Sequence, residues 1–464
     1  MGNAPVSRRM FLAGTGAALT SACSTRVGAS TVGKCPNIVF IMADDLGYAD
    51  LSCYGRRDYE TPHLDRLAEQ GVRYLDAYAN SAVCSATRTA LITGRYQYRL
   101  PIGLEEPLGS RPIGLPPQVP TLPSLLRQAG YRTALVGKWH LGRLPDYGPL
   151  QSGYDHFWGY RAGGVDYFTH AGMAGPDLWD QDVPIEQDGY MTDLLGARAL
   201  TMIDTFAKEQ VPFLLSLHFS APHWPFEGPG DEAEAIRIAS DPNSNIVHLD
   251  GGSMATYAAM VRRMDEQVGR IMQRLQDHAL ADNTIVVFTS DNGGERFSDT
   301  WPFSGRKTEL LEGGIRVPCI VRWPARLEAG TQSTELCMSM DWAPTLLAAA
   351  GVKVNAKAGF DGVDLWSGKS ADRTLFWRMK WMAQEACRQG RWKYLKIGGN
   401  RFLFDLSDDP LERANLKLRE PERFAALQAQ YHAWAQTMLP IDPKSEAHGF
   451  MSDQMADRYA PMAP

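Results

Sequence analysis

The sequence predicts an α/β fold: a large, mostly parallel mixed sheet sandwiched by helices, followed by a smaller C-terminal α+β subdomain with a short antiparallel sheet. Three observations carry this. Apolar, β-rich runs recur from residue 37 to residue 324, and amphipathic stretches with helical spacing lie between them. Such alternation places helices on both faces of a sheet. Past residue 368 the pattern changes to short aromatic, basic runs and one last helical stretch.

Taken in order, residues 1–34 stand apart. Ser7-Arg8-Arg9-Met10-Phe11-Leu12 opens a weakly apolar stretch that ends in small residues, and no acidic side chain precedes Asp44. The stretch is too short to span a bilayer. It resembles a twin-arginine export signal, which implies the twin-arginine translocation machinery as a partner and a periplasmic or secreted location. Cys23, after Leu19-Thr20-Ser21-Ala22, is a candidate lipid anchor, although the leucine sits one place further away than the usual lipoprotein pattern puts it.

The first buried strand is read in NIVFIMADD (37–45), and TPHLDRLAEQG (61–71) and TLPSLLRQAG (121–130) carry helical spacing. TALVGKWH (133–140), PFLLSLHFSAPH (212–223), TIVVFTSDNGG (284–294) and VPCIVRWP (317–324) are further strands, with a long helix over 254–278 between the second and third of these. DGVDLWSG (361–368) closes a large domain, residues 35–368. The subdomain 369–464 holds TLFWRMKW, RWKYLKI and a helix over 421–438.

Composition narrows the function. The chain has 464 residues, 44% hydrophobic and 10% aromatic, enough for a large core. With 47 Lys plus Arg against 53 Asp plus Glu and no basic run, nucleic acid is excluded as a partner. The 7 cysteines (23, 35, 53, 84, 319, 337, 387) have no C-x-x-C spacing, which argues against a zinc cage and leaves disulfide pairing open.

Chemistry gathers at the strand ends. Asp44-Asp45 and Asp291-Asn292 each end an apolar run, where open α/β sheets bind ligands. Either pair alone is also an ordinary turn former. Together they make an all-oxygen donor set suited to Ca²⁺, or to Mg²⁺ or Mn²⁺. Lys138 and His140 lie two apart, so an extended backbone points both to one side. Cys84 stands four residues before Arg88, and His223 and Lys307 lie in APHWPF and SGRKTELLEGGIRVP.

This order resembles the formylglycine-dependent sulfatases of the alkaline phosphatase superfamily. Cys84-Ser85-Ala86-Thr87-Arg88 followed by Leu91-Ile92-Thr93-Gly94-Arg95 is similar to the family signature, with Ala86 where many members have proline. ETPHLDRLAEQGVRY, GYRTALVGKWHLG, EGGIRVP, MDWAPTLLAAAGV and LFDLSDDPLERANL extend the likeness over nearly the whole chain after residue 34. The resemblance implies an alkaline phosphatase-like fold and an exported enzyme that hydrolyses sulfate esters of carbohydrates or aryl alcohols. Cys84 would be converted by a formylglycine-generating maturation enzyme into formylglycine, whose hydrate supplies the nucleophilic hydroxyl. Asp44, Asp45, Asp291 and Asn292, with an oxygen of modified Cys84, would hold one divalent cation, Ca²⁺ by preference. Arg88 would hold the hydrated aldehyde, Lys138 and Lys307 the sulfate oxygens. His140 would assist at the formylglycine hydroxyl during sulfate release, and His223 would act with Lys307 on the leaving alcohol. Two other readings stand beside this one: a formylglycine-dependent phosphonate monoester hydrolase or phosphodiesterase, and a non-catalytic carbohydrate-binding relative. For the sugar itself the candidates are His170, Trp224 and Glu227, in aromatic-rich stretches that read equally as a small core with polar turns.

Overall fold

The computed structural model describes residues 35–353, 358–368, 373–451 and 454–456. The apolar runs become strands of one ten-stranded sheet. Its order is Thr331–Ser333, Val72–Tyr74, Cys319–Arg322, Thr284–Ser290, Asn37–Ala43, Phe213–His218, Arg132–Lys138, His156–Tyr160, Trp179–Asp180 and Val183–Pro184. The middle is parallel, from Thr284–Ser290 across to His156–Tyr160. Antiparallel pairing enters toward both edges.

Strand Asn37–Ala43 is buried throughout because the sheet is covered on both sides. Val39, Ile41 and Ala43 face one core with helices Pro62–Glu69, Met191–Glu209 and Met254–Asp277. Ile38, Phe40 and Met42 face the other, with Leu91 and Ile92 and with helices Leu122–Gln128 and Trp342–Ala349. Each large apolar side chain sealed this way contributes roughly 1.5–3 kcal/mol.

Helix Cys84–Thr93 is buried on every side. Its β-branched residues and missing side-chain N-cap make it a poor helix in isolation, so tertiary packing holds it. Leu91 and Ile92 meet the main sheet, while Ala86 and Ala90 meet a third core built largely from the C-terminal segment. The helix stops at Gly94, whose φ of 65° is left-handed, with its N–H on Ala90 O.

The C-terminal segment is an antiparallel four-stranded meander, Thr374–Met379, Gln384–Gln389, Trp392–Ile397 and Asn400–Asp405, backed by helix Pro421–Ala435. It is a layer on the main body, since residues Cys35–Pro464 form one compact unit. Trp377 Nε1 donates to Ala79 O at 2.8 Å, and the Gln384 amide brackets Thr308 O and Leu310 N, both at 2.8 Å. Lys393 is buried between Glu312 (2.8 Å) and Glu412 (2.9 Å). Among the described residues no helix is long and apolar enough to cross a membrane. The expected export signal and Cys23 fall in 1–34, outside the described residues.

Candidate active site

The parallel strands end flush. Ala43 pairs with Ser290, Met42 with His218, His218 with Gly137 and Lys138 with Tyr160. The residues that follow therefore meet at one sheet edge. The chain turns there through left-handed backbone at Asp45 (φ 64°) and His140 (φ 56°), which is why the strands are shorter than the apolar runs suggest.

Cys84 is the first residue of its helix, at the positive end of the helix dipole. Its Sγ lies 3.3 Å from His140 Nδ1, and His140 Nε2 lies 2.8 Å from Leu108 O. A carbonyl only accepts, so Nε2 carries the proton and Nδ1 offers its lone pair to position 84. Burial and Lys138 hold the His140 pKa well below the usual imidazole value, so the ring is neutral. Burial also pushes the Cys84 thiol up, against the pull of Lys138 and Lys307.

Arg88, one turn along the helix, donates through Nε (3.0 Å) and Nη2 (2.7 Å) to Asp291 Oδ2 and through Nη1 (3.3 Å) to Lys138 O. Lys138 Nζ donates to Asp44 Oδ2 at 2.5 Å, and Lys307 Nζ to Asp45 Oδ2 at 2.6 Å. His223 Nδ1 donates to Trp224 O at 2.7 Å, which leaves Nε2 facing Asp45 Oδ2 at 3.7 Å. Burial, Lys307 and Lys138 keep this second imidazole neutral as well.

The acidic groups bear on a metal. Asp44, Cys84 and Asp291 bring donor atoms within 4.8 Å of one another, and so do Asp44, Asp45 and His223. Burial and the nearby Asp291 raise the Asp44 carboxyl to about 8, because like charges this close resist joint ionisation. Burial opposes ionisation of Asp291 too, but Arg88 and Lys138 hold its pKa below the usual value. Asp44 Oδ1 and Asn292 Oδ1 are buried without a hydrogen-bond partner, while Asn292 Nδ2 donates to Asp45 Oδ1 at 2.7 Å. Two orphaned oxygens beside three crowded carboxylates are what a divalent cation would satisfy, and the donor set fits one.

Cys84, Arg88, Lys138, His140, His223, Lys307, Asp44, Asp45, Asp291 and Asn292 thus occupy one buried cluster. Trp224 packs against the His223 ring, centroids 4.1 Å apart and the planes tilted by 44°. His170 and Glu227 are sealed inside. His170 Nε2 donates to Gly189 O at 3.0 Å, and Glu227 accepts from Tyr167 N at 3.1 Å with the Asp166 carboxyl close by. Both tie loops together rather than face open solvent. Sequence reading passed over Gly163 and Gly164, where a Cβ would come within 2.7 Å of His140 Cε1 and 2.9 Å of His223 Cε1. It also passed over Leu108, whose carbonyl sets the His140 tautomer. A glycine pair in a loop was the visible signal for the first; a carbonyl leaves none.

The family model for sulfatases matches residues 36–352, and that for the N-sulphoglucosamine sulphohydrolase C-terminal region matches 305–437. Arylsulfatase J of Mus musculus is 30% identical over 88% of this chain and 78% of its own. N-acetylgalactosamine-6-sulfatase of Homo sapiens is 32% identical over 76% of this chain and 70% of its own. The solved structure of Ps i-CgsB superposes with TM-score 0.80 at 29% identity, covering 89% of this chain and 95% of that one. The phosphonate monoester hydrolase of Agrobacterium radiobacter shares the fold, at TM-score 0.60 and 20% identity over 87% of this chain and 95% of its own. With the family model spanning the whole main sheet and every cluster residue inside it, the chain belongs to the sulfatase family.

Proposed function

We propose that this sulfatase hydrolyses sulfate esters of carbohydrates, with Cys84 converted to formylglycine and one divalent cation held by Asp44, Asp45, Asp291 and Asn292. The observation that carries the reading is the placement of Cys84, 3.3 Å from the His140 lone pair, among the carboxylates and two buried lysines. The unmodified thiol is a poor nucleophile there, since burial keeps it protonated. Formylglycine, once water has added to its aldehyde, supplies a hydroxyl at this position. A cation held by these oxygens, Ca²⁺ by preference for a mixed carboxylate and amide set, would lower that hydroxyl's pKa and offset the charge of the ester.

The chain's own residues do the rest. One hydroxyl of the hydrate attacks the sulfur and the ester S–O bond breaks; His140 Nδ1 then takes the proton of the other hydroxyl, so that the aldehyde re-forms and the bound sulfate leaves by C–O cleavage. Arg88 fixes Asp291, and Lys138 and Lys307 bring fixed positive charge to where sulfate charge develops. His223 is held neutral partly by those two lysines. An anionic ester beside them opposes that push, which favours a proton on Nε2 that can pass to the leaving alcohol.

A carbohydrate substrate is supported by the company the chain keeps: its relatives include an N-acetylgalactosamine-6-sulfatase, and Ps i-CgsB has been solved in complex with k-i-k-neocarrahexaose. The test is release of free sulfate from defined sulfated oligosaccharides, compared with an aryl sulfate, a phosphonate monoester and a phosphate diester. A higher kcat/KM for either phosphorus ester would overturn the reading. Export by the twin-arginine machinery rests on Ser7–Leu12. Replacing both Arg8 and Arg9 by Lys should leave the protein in the cytoplasmic fraction, and unchanged fractionation would remove that part.

A further inference from the structure

His218 ends strand Phe213–His218 and is buried behind the cluster. Its Nδ1 lies 3.2 Å from Arg88 Nη1 and 3.2 Å from Lys138 O. Arg88 Nη1 has two hydrogens, and the same nitrogen also donates to Lys138 O. A guanidinium only donates, so its contact with His218 is a bond only if Nδ1 carries the lone pair and Nε2 the proton. In the other tautomer two N–H groups would face each other at 3.2 Å. An Nδ1–H could donate to Lys138 O at 3.2 Å, but it would turn that proton toward the Arg88 guanidinium as well, whereas the lone pair faces the positive charge; burial together with Arg88 also disfavours a protonated ring.

We propose that His218, as its Nε2–H tautomer, is a positioning residue for Arg88. Asp291 holds the Nε and Nη2 edge of the guanidinium, and His218 with Lys138 O holds Nη1, so the plane is fixed from both sides. The far side of the ring leaves room for a proton on Nε2. His218 Nε2 has no protein partner, and neither has Trp139 Nε1. Both residues line a cavity of about 20 Å³ shared with Arg88, Ser216 and Tyr154, whose hydroxyls are hydrogen-bonded to each other at 3.0 Å. That volume and those groups suit one water, which accepts from Nε2–H and from Trp139 Nε1–H.

The effect on rate rests on the proposed hydrolysis, but the contact does not. Asn carries an acceptor close to where Nδ1 lies, Gln carries it one carbon further out, and Leu has none. His218→Asn should keep kcat within about threefold, whereas His218→Gln and His218→Leu should lose about 10- to 100-fold in kcat with KM nearly unchanged. All three should melt cooperatively; if the Leu variant fails to fold, the Asn and Gln pair decides. Equal losses in Asn and Gln, or wild-type kcat in Gln or Leu, would overturn the proposal. Independently of activity, ¹⁵N spectra of histidine-labelled protein, with His218 assigned by its loss in the Asn variant, should show the Nε2–H tautomer, and an Nδ1–H signature would also overturn it. A wild-type enzyme that releases no sulfate while His218 shows the expected tautomer would sink the hydrolase reading and leave the Arg88 contact standing.

Discussion

Gly163→Ala places the predicted weak point of the site under direct test. The added Cβ would sit 2.7 Å from His140 Cε1, about 0.8 Å short of the ~3.5 Å at which carbon atoms make favourable contact. The ring cannot yield freely, because Nε2 is bonded to Leu108 O at 2.8 Å and Nδ1 faces Cys84 at 3.3 Å. A shift approaching 1 Å at a group that moves a proton costs on the order of 100-fold in rate. Gly163→Ala should therefore lower kcat about 100-fold for every ester while changing KM little, with the overpacking costing about 1–3 kcal/mol of stability. Gly164→Ala displaces His223 instead, its Cβ 2.9 Å from Cε1, so its loss should grow as the leaving alcohol becomes less acidic. Steady-state kinetics on sulfate esters of graded leaving-group pKa separates the two. Wild-type kcat in Gly163→Ala, or the same leaving-group dependence in both variants, would refute the reasoning.

Further outcomes are expected elsewhere. Burial and Asp166 raise Glu227 to about 9, well above its ordinary value, so the folded protein binds this proton more tightly than the unfolded chain does; stability falls as pH rises from about 4.5 to about 9. Glu227→Gln mimics the protonated acid, and melts at pH 5 and pH 9 should show it gaining on wild type at the higher pH; a pH-independent difference would contradict this. Lys393→Met strands the buried carboxylates of Glu312 and Glu412 and should cost about 3–5 kcal/mol in urea unfolding, with under about 1 kcal/mol arguing against the ion cluster. Chelation followed by dialysis should lower the melting temperature as well as the activity, and one Ca²⁺ per chain should restore both; restoration by zinc alone would contradict the oxygen site.

Much of this was legible in the chain because its chemistry lies next to its strongest periodic signals. Asp44-Asp45, Lys138, His223 and Asp291-Asn292 all follow long apolar runs, and the parallel register brings those ends together. Strands Val72–Tyr74, Thr331–Ser333 and Trp179–Asp180 are too short to show a period. Helix Cys84–Thr93 lacks an apolar stripe because it is buried all round. His218 reads as one polar residue at the end of an apolar strand, and its partner Arg88 lies 130 positions away. His170 and Glu227, named from the sequence as candidates for the sugar, bond backbone groups of nearby buried loops.

The central claim is that position 84 carries formylglycine and that turnover depends on it. The most direct measurement is the mass of the Cys84 peptide from protein fractions of known sulfatase activity. Activity should rise in proportion to the fraction of formylglycine and vanish in Cys84→Ala, which should still fold. Full activity in protein whose Cys84 is wholly unmodified would contradict the account.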